Sequence, residues 1–308
     1  MPDLCHRERL LIAIAVVALV PALLLFMAGC GRARQSGRLK VAVSVVPLAD
    51  FTREVGDDLV EVETLVPPGA SPHTYEPTAG QLAFLEQAKV FVTNGLELET
   101  WAVDVFGKVG KKGVVKVVAA DAIPSDMLLK SSEADSEGPH DPHVWLDPTL
   151  AIYEVNAIAS GLAKADPSHA DTYRANAEAY VRKLKDLDRR LAGETDEFTK
   201  RSFVALHPAW AYFATRYGLV EAGAIEEVPS KEPSGELINK LVDEIKKQGI
   251  TVVFAEPQIN PKAAEVVAQE GGAEVKFIDP LGNPEKPDVS TYIKLMQHNV
   301  AVMAEVLK

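Results

Sequence analysis

The chain has 308 residues, 47% of them hydrophobic and 25% charged, which is enough apolar material for one or two globular domains with real cores. Its formal net charge of −12 argues against nucleic acid and anionic membrane surfaces as partners. The same charge suits either the attraction of cations or a soluble, self-repelling surface.

Arg7 and Arg9 precede an apolar run from Leu10 to Met27, which ends in Met27-Ala28-Gly29-Cys30. A run of that length can form a membrane helix. Pro21 within it, and the small-residue end followed by cysteine, favour a lipoprotein signal peptide over residues 1–29. Cleavage before Cys30 would leave a lipid on its sulfur, with residues 30–38 as lipidated cysteine and flexible tether. An uncleaved anchor is the alternative. Either way the chain is expected to be extracytoplasmic and held at a membrane, on the periplasmic side or cell surface. Cleavage also removes Cys5, the only other cysteine. Without thiolates, any metal site must use histidine and carboxylate.

Strands and helices then alternate. Leu39–Val46 is a largely apolar run and reads as a buried strand, Leu48–Gly56 as a helix and Val60–Val66 as a strand. A Pro/Gly loop leads to His73, and Thr78 starts a helix to Ala88. Val90–Thr93 reads as a strand, Glu97–Val109 as a helix and Val114–Ala119 as a strand. Asp121–Asp141 is a long acidic loop with His143 just beyond it. Asp147-Pro148 signals a helix start, and Asp166-Pro167 repeats the signal.

From Pro167 to Glu194 the pattern predicts one long helix. Tyr173, Ala177, Tyr180, Leu184, Leu187 and Leu191 recur at spacings of four and three, giving a single apolar seam. The alternation then restarts, with strands at Ser202–Leu206, Thr251–Ala255 and Glu274–Ile278. Helices follow at Ala209–Tyr217, Glu236–Gln248, Pro261–Glu270 and Ser290–Leu307. The fold class is α/β: two lobes, each a parallel sheet flanked by helices, joined by one long rigid helix. The lobes are placed at residues 39–166 and 196–308, with the connecting helix at 167–195.

Four residues fall in loops at or beyond strand ends, where open α/β sheets bind ligands: His73, His143, His207 and Asp279. Two come from each lobe, so a cleft between lobes would bring them together. Three imidazoles and a carboxylate complete a first shell for a borderline divalent cation such as zinc. Each has a structural reading too. On that reading His73 only terminates a loop, His143 packs against Trp145, His207 is a buried hydrogen-bonded histidine and Asp279-Pro280 is a helix or turn cap. Glu256 ends a strand beside the cleft, as a second-layer partner or a strand-end acid. His140, His169 and His298 read as solvated positions, and His140 is near enough to His143 to load metal from the acidic loop.

The motifs PHTYEPT, NGLELETW, HVWLDP, LHPAWAYFATRYGL, EPS, FAEPQ and IDPLG stand in the order found in the substrate-binding lipoproteins of bacterial zinc and manganese ABC importers, and the chain resembles that family over nearly all of its mature length. The resemblance implies that His73, His143 and His207 bind metal, that Asp279 supplies the fourth ligand or stands close by, and that the long helix is the rigid connector. It also implies an ABC permease and its ATPase as partners, a monomer, and no enzymatic activity. Histidine rather than glutamate at position 207 points to Zn²⁺ over Mn²⁺ (or iron). Two departures stand out: the loop before His143 is acidic instead of histidine-rich, and Pro208 occupies a position where an acidic residue is common.

The expected function is therefore capture of Zn²⁺ by an extracytoplasmic receptor, with affinity falling as pH drops through about 6.5, where histidines protonate. A manganese receptor on the same fold is the first alternative. A zinc hydrolase, with Glu76 or Glu256 as base, and a metal-stabilised surface adhesin are the others. Four protein ligands would leave no open position for a catalytic water, and no HExxH motif is present.

Overall fold

The computed structural model describes residues 37–109, 113–131, 138–226 and 232–308. The expected signal peptide (1–29), Cys30 and most of the tether lie outside the described residues, as does the middle of the acidic loop.

Val/Ala-rich runs form the first sheet from β1 (Leu39–Val43), β2 (Val60–Thr64), β3 (Val90–Thr93) and β4 (Val115–Val118). Its order is β2-β1-β3-β4, with every pairing parallel. Between these strands run α1 (Val46–Gly56), α2 (Ala79–Leu85) and α3 (Thr100–Val109). After the acidic loop come α4 (Pro148–Ala165) and the long α5 (Ala170–Asp196). The second sheet uses β5 (Ser202–Ala205), β6 (Val220–Ala224), β7 (Val252–Ala255) and β8 (Glu274–Phe277), in the order β6-β5-β7-β8 and again parallel. Helices α6 (Ala211–Tyr217), α7 (Gly235–Gln248), α8 (Lys262–Gly271) and α9 (Tyr292–Leu307) complete it. Each sheet therefore has a point where the strand order reverses, beside β1 and beside β5. Ligand crevices of parallel sheets open at such points.

Strand β6 is absent from the sequence reading. Its VEAGA sequence offers one β-branched residue and a glycine, so propensity is silent there, and pairing with β5 makes the strand. Helix α3 starts at Thr100 instead of Glu97, because Gly95, Leu96 and Glu97 all have positive φ (92°, 52° and 64°). The buried Glu99 carboxylate holds that turn by accepting the Asn94 and Gly95 backbone N–H groups at 2.9 and 3.2 Å. Asp166-Pro167 opens a 3₁₀ turn, and α5 begins at Ala170.

The α5 seam behaves as its spacing predicts. Tyr173, Ala177, Tyr180, Leu184, Leu187 and Leu191 are all buried, in one hydrophobic cluster with residues of both lobes. Helices α1, α4, α6 and α9 pack against α5. Polar ties reinforce the seam. Asp50 Oδ2 on α1 accepts from the Tyr180 hydroxyl (3.2 Å) and from the Tyr292 backbone N–H at the start of α9 (2.9 Å). Trp145 Nε1 donates to Pro280 O (2.7 Å), and the Tyr292 hydroxyl donates to Trp145 O (2.6 Å).

Helix α4 is capped by Asp147, which accepts from Thr149 N at 2.7 Å, and it packs on β4 through Gly161. A Cβ at Gly161 would overlap the Val117 side chain. Gly→Ala inside a helix ordinarily gains about 1 kcal/mol. Gly161→Ala should instead lose roughly 1–3 kcal/mol by overpacking. Urea unfolding would show this as a lower midpoint with an unchanged slope.

Candidate metal centre

The loop after β2 places the first histidine. Leu65 N and Val66 N extend the β2–β1 ladder to Val43 O and Ser44 O, and the Trp101 indole N–H holds Pro72 O at 2.8 Å, next to His73. The second histidine is fixed from several sides. Asn94 Nδ2 donates to Pro142 O (2.9 Å), and the Tyr212 hydroxyl, from the second lobe, donates to Asp141 O (3.0 Å). Asp141 Oδ1 accepts the His143 backbone N–H (2.9 Å) and faces His143 Nδ1 at 2.8 Å. A carboxylate on Nδ1 sets the tautomer and leaves Nε2 to face the site. The third histidine, His207, follows β5 directly, where Leu206 N pairs with Phe254 O.

These three histidines converge. All are buried, and one ligand atom from each lies within 4.8 Å of the others. Ring centroids stand 5.5 Å (His73–His143), 5.2 Å (His73–His207) and 4.9 Å (His143–His207) apart. Tetrahedral zinc with Zn–N near 2.0–2.1 Å needs nitrogens about 3.3 Å apart. Small ring rotations bridge that difference. The histidines open on a cavity of about 20 Å³, room for a water-sized body, whose wall includes Trp145, Glu256 and Gln258.

Asp279 stands one residue off this wall, outside the histidine grouping. Its Oδ1 accepts from Gln258 Nε2 (2.7 Å), Leu281 N (2.9 Å) and Gly282 N (3.0 Å). Glu256 faces the site: Oε2 lies 3.6 Å from His207 Nδ1, and Oε1 accepts from the Trp210 indole at 3.2 Å. Glu76 is exposed and does not line the cavity. His140 sits apart, its Nδ1 3.3 Å from Leu129 O.

Two residues that the sequence reading passed over belong to the site's surroundings. Asp141 ends the acidic loop; its signal was the spacing Asp-Pro-His, two residues before a candidate ligand. Burial pushes its carboxyl up to about 7, against the opposing pull of the His143 N–H and of His207 and His73. Glu221 lies on β6, the strand that propensity hides. Burial, then Asp141, push it up to about 8, with His207 pulling the other way and Glu256 adding to the rise. Asp141 behind His143 and Glu256 behind His207, with the charge of Glu221 added to theirs, favour a bound cation.

Two parallel-sheet lobes on a shared rigid helix, with buried imidazoles gathered at their strand ends, define a two-lobed metal-binding receptor. Residues 41–306 match the family described as zinc-uptake complex component A, periplasmic, and the chain belongs to that family. It is 31% identical to the zinc-binding lipoprotein AdcA of Streptococcus pneumoniae over 91% of this chain, and spans 58% of that protein's length. It is 30% identical to the high-affinity zinc uptake system protein ZnuA of Bacillus subtilis, covering 94% of this chain and 96% of that one. A zinc-bound crystal structure of a ZnuA 138–173 deletion mutant superposes with TM-score 0.78 at 32% identity, over 88% of this chain and 98% of that one.

Glu221 supplies a pH test. Its folded-state pKa is raised, so the fold prefers it protonated, and its cost grows as pH rises from about 4.5, the ordinary glutamate value, to about 8. Glu221→Gln should therefore raise the melting temperature of the metal-free protein at pH 8 and change little at pH 4. Equal gains at both values would mean that the residue acts through packing alone.

Proposed function

We propose that the protein captures Zn²⁺ outside the cytoplasm and delivers it to an ABC permease driven by its ATPase. The observation that carries this reading is the convergence of His73, His143 and His207 within 4.8 Å in a buried pocket fed from both lobes. Imidazole suits zinc, whereas manganese prefers oxygen. The carboxylates Asp141 and Glu256 stand behind imidazoles, where they tune and orient the ligands. Asp279 is the proposed fourth ligand. Because its Oδ1 takes three donors, the other oxygen is the one to offer the ion. This set leaves no open coordination position, and exposed Glu76 has no place beside the ion, so the role is receptor and not hydrolase.

The signal at residues 1–29 would direct export, and a lipid on Cys30 would tether a monomer at the membrane. Among the described residues no helix is long and apolar enough to cross a membrane. Metal held by ligands from both lobes staples them, and α5, buried against both, limits the swing to small motions that a permease reads.

Competition titration of the chelator-stripped protein should give one tight Zn²⁺ site that excess Mn²⁺ does not empty. Preferential manganese binding would replace the cargo and keep the receptor. His207→Ala should weaken zinc binding at least 100-fold. Asp141→Asn should weaken it about 10- to 100-fold by loosening His143. Undiminished affinity in His207→Ala would refute the assignment of the site.

A further inference from the structure

Strand β7 pairs with β5 on one side and β8 on the other, all parallel. The loop after β7 therefore emerges between the strand ends that lead to His207 and to Asp279. It addresses both residues. Glu256 Oε2 lies 3.6 Å from His207 Nδ1. Two positions on, Gln258 Nε2 donates to Asp279 Oδ1 at 2.7 Å. Gln258 also lines the histidine cavity, whereas Asp279 does not. Its amide thus joins the cavity wall to the carboxylate.

The fold places Asp279 without this bond. Asn299, fully buried on α9, grips the Asp279 backbone at both ends: its Oδ1 accepts the Asp279 N–H (2.9 Å) and its Nδ2 donates to Asp279 O (2.7 Å). Leu281 N and Gly282 N close the turn on Oδ1 at 2.9 and 3.0 Å. Gln258 adds a third donor to that same oxygen, and it is the one that comes from a side chain. The amide cannot be turned over, because its oxygen would then face a carboxylate oxygen. In the orientation it has, Oε1 is buried without a hydrogen-bond partner. A buried acceptor left unpaired is destabilising, and the bond to Asp279 offsets that cost. A carboxylate oxygen offers about two lone-pair sites. Three N–H groups leave Oδ1 no place for a metal.

We infer that Gln258 is a positioning residue that sets metal preference: by filling Asp279 Oδ1 it leaves Oδ2 as the single carboxylate oxygen for the ion. The inference rests on Asp279 being the fourth ligand, as proposed above. One carboxylate oxygen and three imidazoles complete the four-coordinate geometry of zinc. A carboxylate free to use both oxygens would raise the coordination number and the oxygen share, which moves a site toward manganese. Without the Gln258 donor, Oδ1 keeps two backbone N–H groups and regains room for the ion.

The test measures Zn²⁺ and Mn²⁺ affinities by competition titration for the full chain and for Gln258→Met, each with Asp279 intact and with Asp279→Ala. With Asp279 intact, Gln258→Met should weaken zinc binding about 10- to 100-fold. Manganese binding should weaken less, so the preference for zinc narrows. On Asp279→Ala, Gln258→Met should cost nothing further. Co²⁺ in the site should absorb strongly in the visible in the unmodified protein, as four-coordinate cobalt does, and weakly in Gln258→Met. An equal loss of zinc affinity with and without Asp279 would overturn the inference, because Gln258 would then act on the pocket or the fold. So would a zinc-loaded crystal of the unmodified protein with both Asp279 oxygens on the ion, a result that needs no variant. If the unmodified protein binds zinc tightly and Gln258→Met matches it in affinity, preference and cobalt spectrum, this inference alone falls. If the unmodified protein takes no zinc, the functional reading falls and this inference with it.

Discussion

The distance between two sheets is what the histidine centre depends on, and the apolar seam of α5 sets it. The seam residues share one cluster with Trp145, Trp210 and Tyr292, so first lobe, second lobe and connector have a common core. A fully buried Leu contributes about 1.5–3 kcal/mol. Leu184, Leu187 and Leu191 alone thus make any large separation of the lobes expensive. With spacing fixed, residues that are 70 and 64 positions apart in sequence meet: His207 follows β5 directly, while bonds from Trp101, Asn94 and Tyr212 hold the loops that carry His73 and His143.

Electrostatics then restrict what can fill the meeting point. Three imidazoles in one buried pocket repel if protonated, and Asp141, Glu221 and Glu256 repel each other if all are ionised. A divalent cation relieves the second conflict and demands the neutral form that avoids the first. Asp279 Oδ1 is engaged in its own Asp-Pro-Leu-Gly turn and with Gln258, the capping role that its sequence context offers.

Much of this was legible from residue patterns. The periodicity of Tyr173 to Leu191 marks the connector, and short apolar runs mark the central strands β3 and β7, which are buried throughout. The three histidines share the property of standing beyond such runs. What escaped did so for physical reasons. VEAGA becomes β6 through tertiary pairing that overrides propensity, and Glu221 escaped with it. Asp141 looked like one more acid in an acidic loop, because only the fold brings it to His143 Nδ1. The late start of α3 follows from a buried carboxylate that captures backbone N–H groups, a contact that NGLELE does not advertise.

Helix α9 carries a consequence of another kind. It is the last element of the chain, yet its first residue bonds Asp50, 242 positions earlier, and its side chains fill the shared core. Contacts of such long range are costly to close and form late. Damage to α9 would therefore be felt in the first lobe, through Asp50, as well as in the second.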